Sequence, residues 1–284
     1  MPFSKLLIGF AFSPNLKANV FEASRIAVQF DAEILFLHVG EKTQKKESDF
    51  KELLNSVPDA PKKQEVLWKM GSPEKRILET CVEKKVDLLL LGALKRENVL
   101  RFYLGSIARK VARKAPCSVL LMLHPAVDRV PCQHIVVNGF DNPQTQPTIK
   151  KALEVANALQ TQKITLVEEI NRSEVNVAVN DDRSLRRATI RKQRINRQEE
   201  RRVHDILKDI PETQKKNINI QTQSIFGRRG YSIGHYARIV RADLLVMNAQ
   251  EEGHFWQRFF PKDLEHILDE LPTNVLIIAP SSHE

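Results

Sequence analysis

No apolar run in the chain approaches the roughly 20 residues a membrane-spanning helix needs, because the longest, "VDLLLL" at 86–91, stops at Gly92. The stretch "MPFSKLLIGF" has one lysine, a short apolar run and no small-residue cleavage site, so it reads as the start of a strand. Cysteine is scarce: Cys81, Cys117 and Cys132 form no CxxC pair, and an odd number argues against a disulfide framework. They read as buried small hydrophobes. Cys132 and His134 lack the further partners a metal site requires. No HExxH, GxSxG or Walker A pattern is present and the eight histidines are dispersed, so no catalytic constellation emerges. These absences describe a soluble, cytosolic protein whose role is binding rather than turnover.

What is present is enough apolar material for a sizeable core: 42% of 284 residues, the size of one large or two ordinary domains. The formal charge is +9, and most of the excess sits in one segment. Residues 183–202, "RSLRRATIRKQRINRQEERR", hold nine basic residues against Glu199 and Glu200. The segment reads as a helix, with Asp181 or Asp182 as N-cap and an apolar stripe through Leu185, Ala188, Ile195, Val203, Ile206 and Ile210. Two roles stay open, a solvated helix outside the core or a surface for RNA, DNA or an acidic partner. No aromatic residue interrupts the run, so any nucleic-acid binding there is phosphate-driven and salt-sensitive.

Short apolar runs alternate with segments of helical period, the pattern of parallel strands covered on both faces by helices. The run β-α-β-α-β-α-β-α-β is followed by a second copy. "DLLLLGA" (87–93) lies over "DLLVMNA" (243–249) and "APCSVLLML" (115–123) over "LPTNVLIIA" (271–279), both at an offset of 156. The early elements repeat at offsets of 129 and 130, so the second copy carries about 26 extra residues, and the basic segment lies inside them. The linker is "HPAVDRVP", residues 124–131, where two prolines interrupt any element.

The stretch "DLLLLGALKRENVLRFYLGSIARKVARKAPCSVLLM" resembles the carboxyl-terminal signature of universal stress proteins: an Asp-led strand, G-x2-G-x9-G-[S/T], a helix and an Ala-Pro-Cys strand. "KLLIGFAFSPN" and "AEILFLHVGE" resemble that family's first two strands, and "MGSPEKRIL" its entry to the third helix. The resemblance implies two tandem doubly wound, Rossmann-like α/β domains, each with a five-stranded parallel sheet, paired as an intramolecular pseudo-dimer through strands at 119–123 and 275–279. The domains would span 1–124 and 133–284, the second carrying a basic helical insertion at about 181–210. It also implies an adenine nucleotide (ATP, ADP or AMP) or another phosphate ligand in the first domain, with no metal beyond nucleotide-associated magnesium.

Carried over from the motif, Gly92, Gly105 and Ser106 match phosphate-contact positions, and the resemblance adds Val39, Lys95, Arg96 and Ile107 to the candidate nucleotide set. Lys95 stands where the family has its second glycine. Ala11 stands where the family usually has an acid that accepts from the adenine amino group. Read without the family, Gly92 ends a strand and Ser106 caps a helix that buries Ile107, Ala108, Val111 and Ala112. The second copy puts Asn248, Glu251, Pro261 and Lys262 at the four motif positions. Pro261 has no N–H for a phosphate and Glu251 would repel one. Phe255, Trp256, Phe259 and Phe260 are expected to pack across the vacated crevice or at the domain interface rather than bind a cofactor, and Asp141 to belong to a turn with Asn142 and Pro143. A degenerate second half that serves as a scaffold, with a further homodimer left open, is the resulting expectation; the alternative is a ligand-independent stress-response interaction scaffold in which both sites are vestigial.

Overall fold

The computed structural model describes residues 1–95, 102–171, 180–228, 230–249 and 262–280. The first run comprises β1 (Lys5–Phe10), α1 (Leu16–Phe30), β2 (Glu33–Val39), α2 (Gln44–Asn55), β3 (Gln64–Lys69), α3 (Pro73–Glu83) and β4 (Leu88–Gly92). Two short strands, β5 (Leu94–Lys95) and β6 (Phe102–Tyr103), precede α4 (Ser106–Lys114) and β7 (Ser118–Met122). The second run holds β8 (His134–Asn138), α5 (Thr145–Leu159), β9 (Lys163–Asn171), α6 (Asp182–Lys208) and the single turn α7 (Glu212–Lys215). It ends with β10 (Asn219–Gly227), α8 (Tyr231–Ile239), β11 (Leu244–Asn248), α9 (Lys262–Asp269) and β12 (Asn274–Ile278). None of the described helices is long and apolar enough to cross a membrane.

The expected α/β architecture is observed, with a sheet dominated by parallel pairing. Ten strands form one sheet in the order β10-β9-β8-β11-β12-β7-β4-β1-β2-β3. Every neighbouring pair in it is parallel except β12 and β7, which run antiparallel with Val275 opposite Leu121 and Ile277 opposite Val119. The inner strands are buried on both faces, as continuous apolar runs such as "LLLLG" require, while the edge strands β3 and β10 are partly exposed. Leu6, Ile8, Leu88 and Leu90 face the layer of α1 and α5, while Leu7, Leu89, Leu91 and Val119 face the opposite layer. Each apolar layer runs without interruption across the β7–β12 seam.

The sequence register recurs in the bonding. Asp87, which leads β4, accepts from the backbone N–H of Ser4 (2.8 Å) and Lys5 (3.0 Å). Asp243, which leads β11, accepts from Gln133 (2.8 Å) and His134 (2.9 Å). The carboxylate thus satisfies N–H groups at the entry of the neighbouring strand in both runs. Left-handed backbone recurs at the same register, at Asp31 (φ 51°) and Gln160 (φ 60°) and at Lys85 (φ 53°) and Arg241 (φ 52°). At the seam, Asn274 Oδ1 accepts from Leu123 N (2.7 Å) and Ser118 Oγ from Ala279 N (3.0 Å).

The basic segment forms α6, capped by Asp181, whose side chain accepts from Ser184 N at 2.7 Å. The expected stripe holds only in its later turns, where Val203, Ile206, Leu207 and Ile210 join the core. Leu185, expected inside, is 53% exposed, because the first turns of α6 extend beyond the layer that covers the later ones. Since the seam supports both apolar layers, Ile277→Ala should cost about 2–5 kcal/mol of stability, measured by chemical denaturation.

Candidate functional site

On an open parallel sheet, ligands sit beyond the carboxyl ends of the strands. In the first run this end holds Val39 at the close of β2, Gly92 at the close of β4, and Gly105 and Ser106 at the start of α4. Gly92 makes room for Asn19 of α1: a Cβ at position 92 would stand 2.9 Å from Asn19 Oδ1. That oxygen is buried and has no hydrogen-bond partner among the described residues.

Gly105, not Ser106, is the N-cap of α4, and no side chain caps the helix. Ser106 is its first residue and is exposed, and among the described residues no side chain covers the leading N–H groups at the positive end of the helix dipole. Ile107 is also turned outward, at 47% exposure, while Val111 and Ala112 carry the buried face. This corrects the expected face by one turn: Val111 and Ala112 reach the sheet, and Ile107 lies at the projecting start of the helix. Lys95 stands opposite Phe102 in the β5–β6 ladder, which brings the two ends of the motif loop together. Arg96 lies outside the described residues, as do Glu251, Pro261 and the aromatic group at 255–260.

The other side of this crevice is aromatic. His38, the penultimate residue of β2, packs against Phe10 (5.3 Å between ring centroids), Phe12 (5.3 Å) and Trp68 (5.0 Å). Phe10 also stacks on Phe50 at 4.0 Å. His38 Nδ1 lies 3.1 Å from the Phe10 carbonyl, which can only accept, so Nδ1 donates; in the neutral ring Nε2 is then an acceptor, and it has no partner among the described residues. Phe12 is 39% exposed and forms the outer wall.

The second run is built differently at the same place. Glu168 and Glu169 occupy the register of His38 and Val39. Both are buried. Arg202, from a late turn of α6, reaches down to the Glu168 carboxylate and the Gly139 carbonyl and also bonds Glu199 at 2.9 Å. Gly139 permits this approach, since a Cβ there would lie 2.8 Å from Glu168 Oε1. Glu169 accepts from the N–H groups of Gly230 (2.9 Å) and Ile233 (2.7 Å), placing a carboxylate on the amino end of α8. Asn248, in the register of Gly92, is buried. Asn142 Oδ1 accepts from Gln144 N at 2.7 Å, closing the expected turn beside Asp141, which is exposed.

Burial pushes the Glu168 carboxyl up to about 8; Arg202 pulls it down, and Glu199 and Asp141 reinforce the rise. His134 goes the other way, its burial holding the imidazole below its ordinary value. Among the described residues, no three His, Cys, Asp or Glu side chains converge to hold a metal ion.

Part of this geometry, Gly92 with Gly105 and Ser106, falls in a segment that matches a family model. Residues 41–122 match the model of the universal stress protein family. The chain is 36% identical over 55 residues to a universal stress protein of Methanocaldococcus jannaschii, an alignment covering 19% of this chain and 32% of that protein. It is 35% identical over 69 residues to one of Thermus aquaticus, covering 24% and 47%. The chain therefore spans less than half the length of these curated relatives. A universal stress protein from Archaeoglobus fulgidus aligns over 98% of both chains with a TM-score of 0.69 at 14% identity, a likeness of fold.

The sequence pointed to the glycine and helix-start positions as candidates and did not point to His38, Phe12, Asn19 or the Arg202–Glu168 pair. The alternation in "GFAFS" with Trp68 downstream was the available signal for the aromatic wall. For the pair, the signal was two adjacent acids ending an otherwise apolar strand.

The folded state raises the Glu168 value above the ordinary 4.5. It therefore holds that proton more tightly than the unfolded chain, and the associated stability is full at acid pH and lost as pH rises through about 8. The urea midpoint should fall between about pH 5 and pH 8, and Glu168→Gln should flatten that fall. An unchanged slope in the variant would assign it to another group.

Proposed function

We propose that the chain is a regulatory binding protein built from two tandem universal stress protein domains, 1–124 and 133–284, paired as an intramolecular pseudo-dimer. The first binds an adenine nucleotide or a related phosphate ligand, and the second acts as its scaffold. The observation that carries this reading is the asymmetry between the two crevices. The first keeps Gly92, a helix start at Gly105 and Ser106 that no described side chain caps, and the acceptor His38 Nε2 without a partner among the described residues; the unpartnered Asn19 Oδ1 is matched in the second run by Thr148 Oγ1 and Asn248 Nδ2 and does not distinguish the two. The second is occupied by its own Arg202, Glu168 and Glu169.

The residues present fit a nucleotide. Phosphate oxygens would take the N–H groups at Ser106 and beyond, with Gly92 allowing the backbone to approach and Lys95 and Arg96 supplying charge. At the base end, Phe12 offers a ring face and His38 Nε2 the acceptor that Ala11 cannot provide. Any magnesium would enter with the phosphates. The route to the seam is short: Arg109, one turn into α4, bonds Asp269 and the Leu268 carbonyl (3.1 Å) of α9 in the other run. A ligand that fixes the start of α4 thereby biases the contact between the halves.

Binding of ATP, ADP and AMP to the ligand-free protein tests this. At least one should bind at millimolar concentration or tighter. Gly105→Pro with Ser106→Lys, which copies the second run, should weaken it by about tenfold or more, since it removes an N–H and fills the approach. No binding at millimolar concentration rejects the nucleotide reading.

The outer face of α6 favours a second reading, an adaptor for polyanions. Of the nine basic residues at 183–202, Arg202 turns to Glu168 and Lys192 lies over the Phe226 ring, while Arg183, Arg187, Arg194, Arg197 and Arg201 are exposed on one side. That row spans about 27 Å of helix. Replacing Arg187, Arg194, Arg197 and Arg201 by Gln should abolish salt-dependent retention on heparin, and retention unchanged by the replacement rejects this role.

A further inference from the structure

The linker at 124–131 does more than connect. It runs over a cavity of about 230 Å³ on the seam, on the face covered by α1 and α5. The walls come in corresponding pairs from the two runs: Ile26 with Val155, Phe30 with Leu159, and Leu120 with Leu276. The linker's Pro125, Val130 and Pro131 form the roof. The enclosure therefore exists only because both runs and their linker belong to one chain. An apolar cavity of about 150 Å³ accepts a benzene molecule and stays dry, so this one has room for a one- or two-ring compound.

One side of the rim is polar. Arg25 clamps the linker, its Nη2 donating to the carbonyls of Ala126 (2.9 Å) and Val127 (2.8 Å). Its Nη1 is buried and has no hydrogen-bond partner; the Glu22 carboxylate stands 3.6 Å away. An unmet guanidinium N–H beside an apolar enclosure calls for an acceptor oxygen. A full negative charge is disfavoured, because Glu22 and Asp243 line the same rim against the single arginine. Burial already pushes the Glu22 carboxyl above its ordinary value.

We propose that this seam cavity binds a small uncharged molecule with a one- or two-ring apolar body and one hydrogen-bond acceptor, held by Arg25. Such a ligand touches both runs and the linker at once, so its occupancy stabilises the seam independently of any nucleotide.

Ligand-observed NMR titration of the full chain with 1-indanone tests the site, with indane and indane-1-carboxylate as comparisons. 1-Indanone should bind saturably and more tightly than the carboxylate. Leu159→Trp fills the cavity from α5, and Val130→Trp blocks the roof from a position that is 68% exposed and tolerant of change. Each should weaken 1-indanone about tenfold or more. Arg25→Met, which also releases the linker, should weaken 1-indanone about tenfold more than it weakens indane, the difference expected for one charged hydrogen bond. No saturation up to the solubility limit, parental affinity in both tryptophan variants, or preference for the carboxylate overturns the proposal.

Discussion

The antiparallel pairing of β7 with β12 is the constraint on which the rest of the molecule depends. A parallel run that stopped at either strand would present an open edge of unpaired N–H and C=O groups. Here each closes the other, and Ser118 and Asn274, at matching positions, satisfy the N–H beyond the end of the opposite strand. Because the two runs meet head to tail, the carboxyl ends of their strands point in opposite directions. The two crevices therefore lie on opposite rims of one sheet, joined through the helices that flank the seam.

Identical topology with different side chains gives the crevices different chemistry. Where the first run has His38 with a free acceptor, the second has Glu168 bonded to Arg202. A guanidinium brought this close to the sheet needs a carboxylate and carbonyls to replace its water, and Glu168, Glu199 and Gly139 provide them. The correspondence extends to size. Gly92 stands above the larger Asn19 in the first run, while the second pairs Asn248 with the smaller Thr148 in the same register. In the first run the space beside Gly92 is taken by the Asn19 side chain, and in the second Asn248 supplies its own.

Much of this was legible in the sequence, for physical reasons. Strands such as "LLLLG" are apolar throughout because both faces are covered, and the Asp before each repeats because its carboxylate closes the neighbouring strand's entry. Gly92 stood out because it closes an apolar strand at the motif's first glycine, and a Cβ there would press on Asn19 Oδ1 at 2.9 Å. The rest depended on direction, which composition does not encode. Nine basic residues look alike along the chain, and only the turn of α6 over β9 separates Arg202 from the others. Ile107 and Leu185 read as core by period, yet each lies where its helix projects past its neighbours. The two acids after "KITLV" could be recognised as buried only once Arg202 and the start of α8 were seen to meet them.

The account rests on one crevice being built for a ligand and the other being filled by its own chain. Calorimetric titration of the ligand-free protein with ATP, fitted for stoichiometry, addresses this most directly. One ATP per chain is the expected result. Two per chain would mean that Arg202 and Glu168 do not close the second crevice, and none at millimolar concentration would mean that the first is not a nucleotide site.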